Sequence, residues 1–197
     1  MSNFSDFFPA AGGGGGIPKY QEFITSGTFT PTQALIDAGG RVSLFIVAGG
    51  GGGSDSTSDN TGGAGGEVLM QYVTLANTNA ITVTIGAGGA ILLPGADSTF
   101  AASTAGGVDI VALGGEAGRN NFIQTVAPAG RLTAGFPSLG KWAYLASSAG
   151  SGVFGYGAGG SSYRGGAGIY QAKPNSGCGA GYSQPGGSGF VRVTWFE

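Results

Sequence analysis

Short runs of apolar residues, most of them followed by glycine clusters, make up most of the chain. In 80–85 (AITVTI) apolar and threonine positions alternate, which is typical of a strand with one buried face. The run 41–48 (RVSLFIVA) holds four consecutive large apolar residues and predicts a strand buried on both faces. In 190–196 (FVRVTWF), alternation places Val191, Val193 and Trp195 on one side of a strand.

The same criteria predict further strands. They fall at 21–29, 67–75 and 108–113, with two short strands at 90–93 and 97–102 paired around Pro94 and Gly95. The stretch 31–38 fits either a turn or a short helix. No long helix is predicted, because glycine disfavours a helix by about 1 kcal/mol per residue relative to alanine.

Glycine clusters follow or precede most of these strands. They occupy 49–53, 62–66, 86–89, 114–118, 150–168 and 177–189. A polyproline-II helix has three residues per turn, so glycine at every third position allows such helices to pack backbone against backbone. This spacing is present at Gly49/Gly52, Gly62/Gly65, Gly86/Gly89, Gly157/Gly160, Gly165/Gly168 and Gly186/Gly189. The sequence therefore predicts an all-β protein, a β-sandwich-like framework combined with packed glycine-rich polyproline-II-type helices.

Composition favours an ordered chain despite its 44 glycines. Hydrophobic residues reach 41% and charged residues only 9%, the reverse of a typical disordered chain. The 197 residues suit one domain at 21–197, preceded by an arm and glycine tether at 1–20. Phe4, Phe7 and Phe8 are predicted to dock this arm onto a partner; the alternative is a frayed terminus.

Charge and residue usage argue against several functions. A net charge of −2 gives no field that would attract nucleic acid. The chain has no histidine, the commonest general base, and its carboxylates show no conspicuous paired spacing, so we do not expect an enzyme. Cys178 is predicted to be a small buried residue. A solvated loop is favoured over a calcium site at Asp55 and Asp59, so no metal or cofactor is expected.

The sequence shows no secretory signal and no apolar run of the roughly 18 residues that a membrane span requires. A GxGxxG pattern at 155–160 lacks the strand–turn–helix context of a nucleotide site. Neither membrane insertion nor nucleotide binding is therefore expected.

Seven motifs follow one another along the chain: FITSGTF at 23–29, VAGGGGG at 47–53, GGAGGEV at 62–68, ITVTIGAGG at 81–89, PGADSTF at 94–100, VALGGEAG at 111–118 and GGSGFVRVTW at 186–195. This ordered set resembles the glycine-rich domain of bacteriophage tail-fibre and tail-tip adhesins. The resemblance covers about 20–197. It implies a virion protein in which packed glycine helices carry variable loops that touch the host surface.

On this resemblance we expect a tail-fibre or tail-tip component located in the virion. Its partners would be other virion proteins and a host receptor, protein or glycan. A homo-oligomer is expected, with a trimer as one form. Aromatic residues in the loops are the candidate receptor contacts, namely Trp142, Tyr144, Tyr163 and Tyr170. A core position is an equal alternative for Trp142.

The rival hypothesis is a decoration protein of the capsid or tail that the arm anchors and that binds no receptor. An enzyme with a glycosidase-like carboxylate pair is a third and weaker hypothesis.

Overall fold

A computed structural model describes residues 16–55, 62–118, 172, 174–181 and 183–197. These residues form two antiparallel four-stranded sheets with very little helix, which confirms the all-β class. The strands are β1 (Pro18–Phe23), β2 (Gly27–Phe29), β3 (Arg41–Val47), β4 (Val68–Thr74), β5 (Ile81–Thr84), β6 (Ser98–Phe100), β7 (Ile110–Ala112) and β8 (Phe190–Phe196).

The first sheet has the order β1-β8-β3-β4, and the second has the order β2-β5-β6-β7. Three strands of the first sheet are seven residues long, whereas strands of the second sheet have only three or four. The strand β8 lies between β1 and β3, although it is the last to be reached along the chain.

One hydrophobic core joins the two sheets. Val42, Leu44 and Ile46 of β3 and Ile81 and Val83 of β5 are all fully buried in it. Their positions alternate with outward-facing residues, as the period of two requires.

An aromatic contact crosses between the sheets within this core. The Phe29 ring lies 5.3 Å from the Trp195 ring in an edge-on arrangement and 5.9 Å from the Phe100 ring. Phe29 of the second sheet therefore packs on Trp195 of the first.

The one α-helix among the described residues is α1 (Gln33–Asp37). The Thr32 hydroxyl caps it by accepting a 3.1 Å bond from the Leu35 N–H, and Leu35 packs into the core. Gly39 and Gly40 then end the helix with φ of 101° and 67°, values that favour glycine. The 31–38 stretch is thus a short helix, one of the two predicted alternatives.

The strands predicted at 41–48, 67–75, 80–85, 108–113 and 190–196 all form, with small differences at their ends. The predicted strand at 21–29 is two strands, β1 and β2. The prediction of a short strand at 90–93 was wrong, because these residues form a tight turn. Of its proposed partner 97–102, only Ser98–Phe100 is strand, and it pairs with β5 and β7.

Candidate functional site

Seven glycine-containing segments continue the strands at one end of the sheets. We number them in chain order as segment 1 (48–54), segment 2 (62–67), segment 3 (86–90), segment 4 (93–96), segment 5 (113–118), segment 6 (177–181) and segment 7 (184–189). Segments 1, 3 and 5 follow β3, β5 and β7, whereas segments 2, 4 and 7 lead into β4, β6 and β8. We call the seven together the glycine bundle.

Segment 1 is fully buried at the centre of the bundle. The N–H groups of residues 48–53 donate to segments 2, 4 and 7 in strict rotation, at 2.8–3.0 Å. Ala48 and Gly51 donate to Glu67 and Ala64, Gly49 and Gly52 to Ala96 and Leu93, and Gly50 and Gly53 to Gly187 and Gln184. The partner numbers fall as the donor numbers rise, so these three neighbours run antiparallel to segment 1.

The carbonyl groups of segment 1 follow the same rotation with the other three neighbours. Gly49 and Gly52 accept from Gly115 and Gly118, Gly50 and Gly53 from Gly89 and Leu92, and Gly51 and Ser54 from Ala180 and Ser183. These partners lie in segments 5, 3 and 6 or in the turns that follow segments 3 and 6. Their numbers rise together with those of segment 1, so they run parallel to it. Segment 1 thus repeats its environment every three residues.

The six outer segments also bond to each other and form a closed ring in the order 2-5-4-3-7-6. Segment 2 donates to segment 5 (Ala64 N–H to Glu116 O) and to segment 6 (Gly63 N–H to Ala180 O). Segment 4 donates to segment 5 (Gly95 N–H to Gly115 O) and to segment 3 (Ala96 N–H to Ala87 O). Segment 7 donates to segment 3 (Gly186 N–H to Gly89 O) and to segment 6 (Gly187 N–H to Cys178 O). The peptide groups in these bonds are therefore satisfied by neighbouring main chain.

The five glycines at 49–53 are needed for their missing Cβ and not for a special φ. A Cβ on Gly49 or Gly52 would overlap a carbonyl of segment 3, on Gly50 or Gly53 one of segment 6, and on Gly51 the carbonyl of Glu116 in segment 5. Positive φ values occur at other glycines, such as Gly106, and not at these five. Each added methyl group would push apart backbones that are hydrogen-bonded to each other.

A single buried hydroxyl joins the first sheet to the bundle. Ser98 Oγ donates to the carbonyl of Val47 at 2.8 Å and accepts from the N–H of Gly86 at 2.9 Å. The side chain is fully buried, so water cannot replace either bond. Ser98 therefore fixes segment 3 against the end of β3.

Two carboxylates hold the beginning of segment 5. Glu67, which is only 4% exposed, accepts from the Leu113 N–H at 2.7 Å, and Asp97 accepts from the Gly114 N–H at 2.7 Å. These bonds satisfy two N–H groups at the point where the chain leaves β7. Both acidic residues thus have a structural role in the described part of the chain.

The molecule has two opposite poles. At the end of the first sheet away from the bundle, which we call the base, Ile17 N–H donates to Glu197 O at 2.8 Å. The side chain of Glu197 also bonds there with the Lys19 ammonium and the Thr32 hydroxyl, which hold the pKa of this carboxyl below its ordinary value. The distance from the base to the far end of segment 1 is about 40 Å if each extended residue spans roughly 3.3 Å.

The far end of the bundle, which we call the tip, carries tight turns. Between segments 3 and 4, the Leu93 N–H bonds to Ala90 O at 2.8 Å, and Leu92 has a φ of 61°. A bulky side chain at positive φ is strained. Ile91, Leu92 and Leu93 are 39%, 38% and 56% exposed, so three consecutive apolar side chains face solvent at the tip.

Two other connections reach the same end. Ser183, between segments 6 and 7, has a φ of 54°, and its N–H bonds to Ser54 O at 2.7 Å. Asp55, directly after segment 1, is exposed. The tip therefore combines a strained apolar turn, a strained polar turn and an acidic side chain.

The predicted functional residues all lie outside the described residues: Phe4, Phe7 and Phe8 of the arm, and Trp142, Tyr144, Tyr163 and Tyr170 of the loops. Asp59 of the calcium alternative is outside them as well. Cys178 is buried, as predicted. Within the described ranges, no group of three or more acidic or cysteine side chains is placed to hold a metal ion.

The prediction from sequence missed the turn at the tip. The turn could have been recognised from the apolar run at 91–93, which lies directly between a glycine cluster and Pro94. The prediction relied on strand propensity alone and therefore gave β-structure.

Comparison of the sequence with models of protein families and with curated proteins finds no match. In the described part of the chain, no helix has the length and apolar character needed to cross a bilayer.

Proposed function

We propose that the protein is a bacteriophage virion component, of the tail fibre or tail tip, that presents the tip of the glycine bundle to a host receptor. The polarity of the molecule carries this proposal. Ile17, near the end of the predicted arm and tether, lies at the base, and the strained turns lie at the opposite end. An arm docked on the particle would direct the tip outward.

The exposed turn at Ile91, Leu92 and Leu93 supports a binding role for the tip. Three adjacent apolar residues here are each more than a third exposed, and exposed apolar surface commonly marks interaction sites. Strained residues cluster at binding sites, where the surrounding structure holds them in place. Here the Leu92 N–H is held by the carbonyl of Gly53 at the centre of the bundle.

We further propose that the bundle consists of polyproline-II-type helices mounted on a β-sandwich. The three-residue repeat of donors and acceptors around segment 1 supports this, since polyproline II has three residues per turn. The single core shared by both sheets supports the sandwich. A crystal structure tests the helices: φ and ψ of 49–53 should average near −75° and +145°. Values typical of β-strands would contradict the proposal.

The receptor-binding role is tested at the tip. Virions carrying Ile91→Ser, Leu92→Ser and Leu93→Ser together should contain normal amounts of the protein but adsorb to the host at least about tenfold more slowly. Val108→Ser is the matched control, because Val108 is 72% exposed but is not part of the tip. Trp142→Ala and Tyr144→Ala test the loop residues predicted from sequence in the same assay.

Normal adsorption by the tip variant would contradict receptor binding through this turn. If the Trp142 and Tyr144 variants also adsorb normally, the decoration hypothesis replaces receptor binding. Both hypotheses predict that deletion of residues 1–16 prevents incorporation into particles, because the arm anchors the protein in either case. Assembly of the truncated protein into particles would show that the arm is dispensable.

A further inference from the structure

The first sheet has an outer face, opposite the core, that divides into two halves. Next to the bundle, Val47, Val68 and Phe190 form a second buried cluster with Phe45 packed against it. Toward the base the same face carries polar and aromatic side chains that reach solvent. This base half of the outer face has no role in the fold described above.

One row of four residues crosses this half in register. Tyr72 of β4 is paired with Ser43 of β3, Ser43 with Thr194 of β8, and Thr194 with Tyr20 of β1. Strands lie about 4.8 Å apart, so the two tyrosines are roughly 14 Å apart along the row. Tyr72 is 55% exposed and Tyr20 70% exposed, so both rings are available above the sheet.

The floor between the two rings is polar. The hydroxyls of Ser43 and Thr194 make no hydrogen bond to any described residue, and both side chains are partly exposed. The row thus places two free hydroxyls between two aromatic rings on the surface of the sheet.

An arginine lies beside each ring. The Arg41 guanidinium carbon is 5.0 Å from the Tyr72 ring centre, and that of Arg192 is 5.9 Å from the Tyr20 ring centre. Arg192 is already paired, because its Nε donates to Glu22 at 2.8 Å. Arg41 forms no ion pair with a described residue, so its charge is available to an anion.

We propose that this row binds an extended acidic polysaccharide of a bacterial surface. The C–H faces of sugar rings would stack on Tyr20 and Tyr72, sugar hydroxyls would bond to Ser43 and Thr194, and a carboxylate or phosphate of the chain would pair with Arg41. The separation of the rings fits a chain of sugars rather than a single one. Only the bacterial source rests on the function proposed above.

The observations favour a polysaccharide over nucleic acid or protein. Nucleic acid needs a basic groove along its phosphates, whereas this chain has a net charge of −2 and one unpaired cation on the face. The centre of a protein interface is usually apolar and surrounded by a polar rim. Here the arrangement is reversed, with hydroxyls at the centre and aromatic rings at the sides.

The test uses the full chain on an array of purified acidic and neutral bacterial polysaccharides, with a single-stranded DNA oligonucleotide as a further probe. The protein should bind acidic polysaccharides in preference to neutral ones. Tyr20→Ala and Tyr72→Ala should each weaken binding about tenfold, and Tyr72→Phe should retain it, because stacking needs the ring and not the hydroxyl. Arg41→Gln should remove the preference for acidic chains.

Thermal unfolding of each variant should match the unaltered protein, since all three positions are exposed. Leu93→Ser at the tip is the control and should leave polysaccharide binding unchanged. The two proposals can fail separately. Normal adsorption by the tip variant would overturn the receptor role of the tip but not the polysaccharide row. Loss of the polysaccharide proposal on the array would leave the receptor role of the tip unaffected.

Three results would overturn the proposal. The first is absence of binding to every acidic polysaccharide of the array. The second is equal binding by the unaltered protein and a Tyr20→Ala/Tyr72→Ala double variant. The third is tighter binding of the DNA oligonucleotide than of any polysaccharide.

Discussion

In the two sheets the interior is filled by side chains such as Leu44 and Ile81, whereas in the glycine bundle the carbonyls of neighbouring segments contact the Cα atoms of residues 49–53. Both regions exclude water from peptide groups. The sheets do so with apolar side chains, and removing one methyl group from such a side chain lowers the stability by a moderate amount. The bundle has no side-chain volume to adjust, because its contacts are made by the same backbones that form its hydrogen bonds.

This difference predicts that the bundle tolerates substitution far less well than the core. In Gly51→Ala, the new methyl group would overlap the carbonyl of Glu116 and displace segment 5. Segment 5 makes four bonds there, through Gly115, Glu116 and Gly118, each worth about 1 kcal/mol. We expect the free energy of unfolding, measured in urea, to fall by about 4 kcal/mol or more. Ala87→Ser on the exposed outside of segment 3 should change stability by less than about 0.5 kcal/mol.

Unfolding of Gly51→Ala at the same urea concentration as the unaltered protein would remove the distinction between the two regions.

The core should respond in proportion to the atoms removed. Leu44→Ala should cost about 3 kcal/mol and Ile81→Val about 1 kcal/mol, because both residues are fully buried. The same urea series measures both variants. If Ile81→Val is as damaging as Gly51→Ala, then the core is no more adaptable than the bundle.

The junction between the two regions should show an intermediate effect. Ser98→Ala leaves the Gly86 N–H buried without its acceptor and should cost about 2 kcal/mol. Ser26→Ala is the matched control, because Ser26 Oγ accepts from the adjacent Ile85 N–H at 3.0 Å at an exposed site where water can replace it. Equal losses of stability in the two variants would show that burial at Ser98 is unimportant.

The smallest effect is expected at the base. The pKa of Glu197 is lower in the folded protein than in the unfolded chain, so its contribution to stability is complete above the unfolded pKa, about 4.3. It is lost as pH falls through the folded pKa. Thermal scans of Glu197→Gln should therefore differ slightly from those of the unaltered protein at pH 7 and converge with them in acid. The salt bridge is exposed at Lys19, so added salt should reduce the difference.

A constant difference from pH 7 down to pH 2 would instead indicate a packing effect of the substitution.

Many of the strands and the spacing of the glycines could be predicted from the sequence. Alternation in 80–85 predicted a strand with the correct buried face, and alternation in 190–196 correctly placed Val191, Val193 and Trp195 on one side of a strand, because a period of two leaves a clear pattern. The three-residue spacing of glycines also has a counterpart in the structure: Gly86 and Gly89 both face segment 4, and Gly49 and Gly52 both face segment 3. Glycine at these positions is required by the close approach of backbones.

The pairing of the segments could not be predicted in the same way. Apart from Pro94 and Pro185, which have no N–H, the residues of every segment present the same backbone N–H and C=O groups, so the sequence of one segment carries little information on its neighbour. The order of the ring follows instead from the strands, because β3, β5 and β7 set where segments 1, 3 and 5 begin. The turn at Ile91 and Leu92 was missed for a related reason: its apolar residues suit a strand, and only the ring places the two segments it joins side by side.

The position of β8 between β1 and β3 also has a consequence for synthesis. Segment 7 and β8 are made after the other described elements, yet segment 7 bonds to segments 1, 3 and 6, and β8 to both of its neighbours in the first sheet. A nascent chain that has not yet released residues 184–196 from the ribosome therefore has an open ring and a divided first sheet. The ring and the first sheet of the described domain can therefore close only after β8 has left the ribosome.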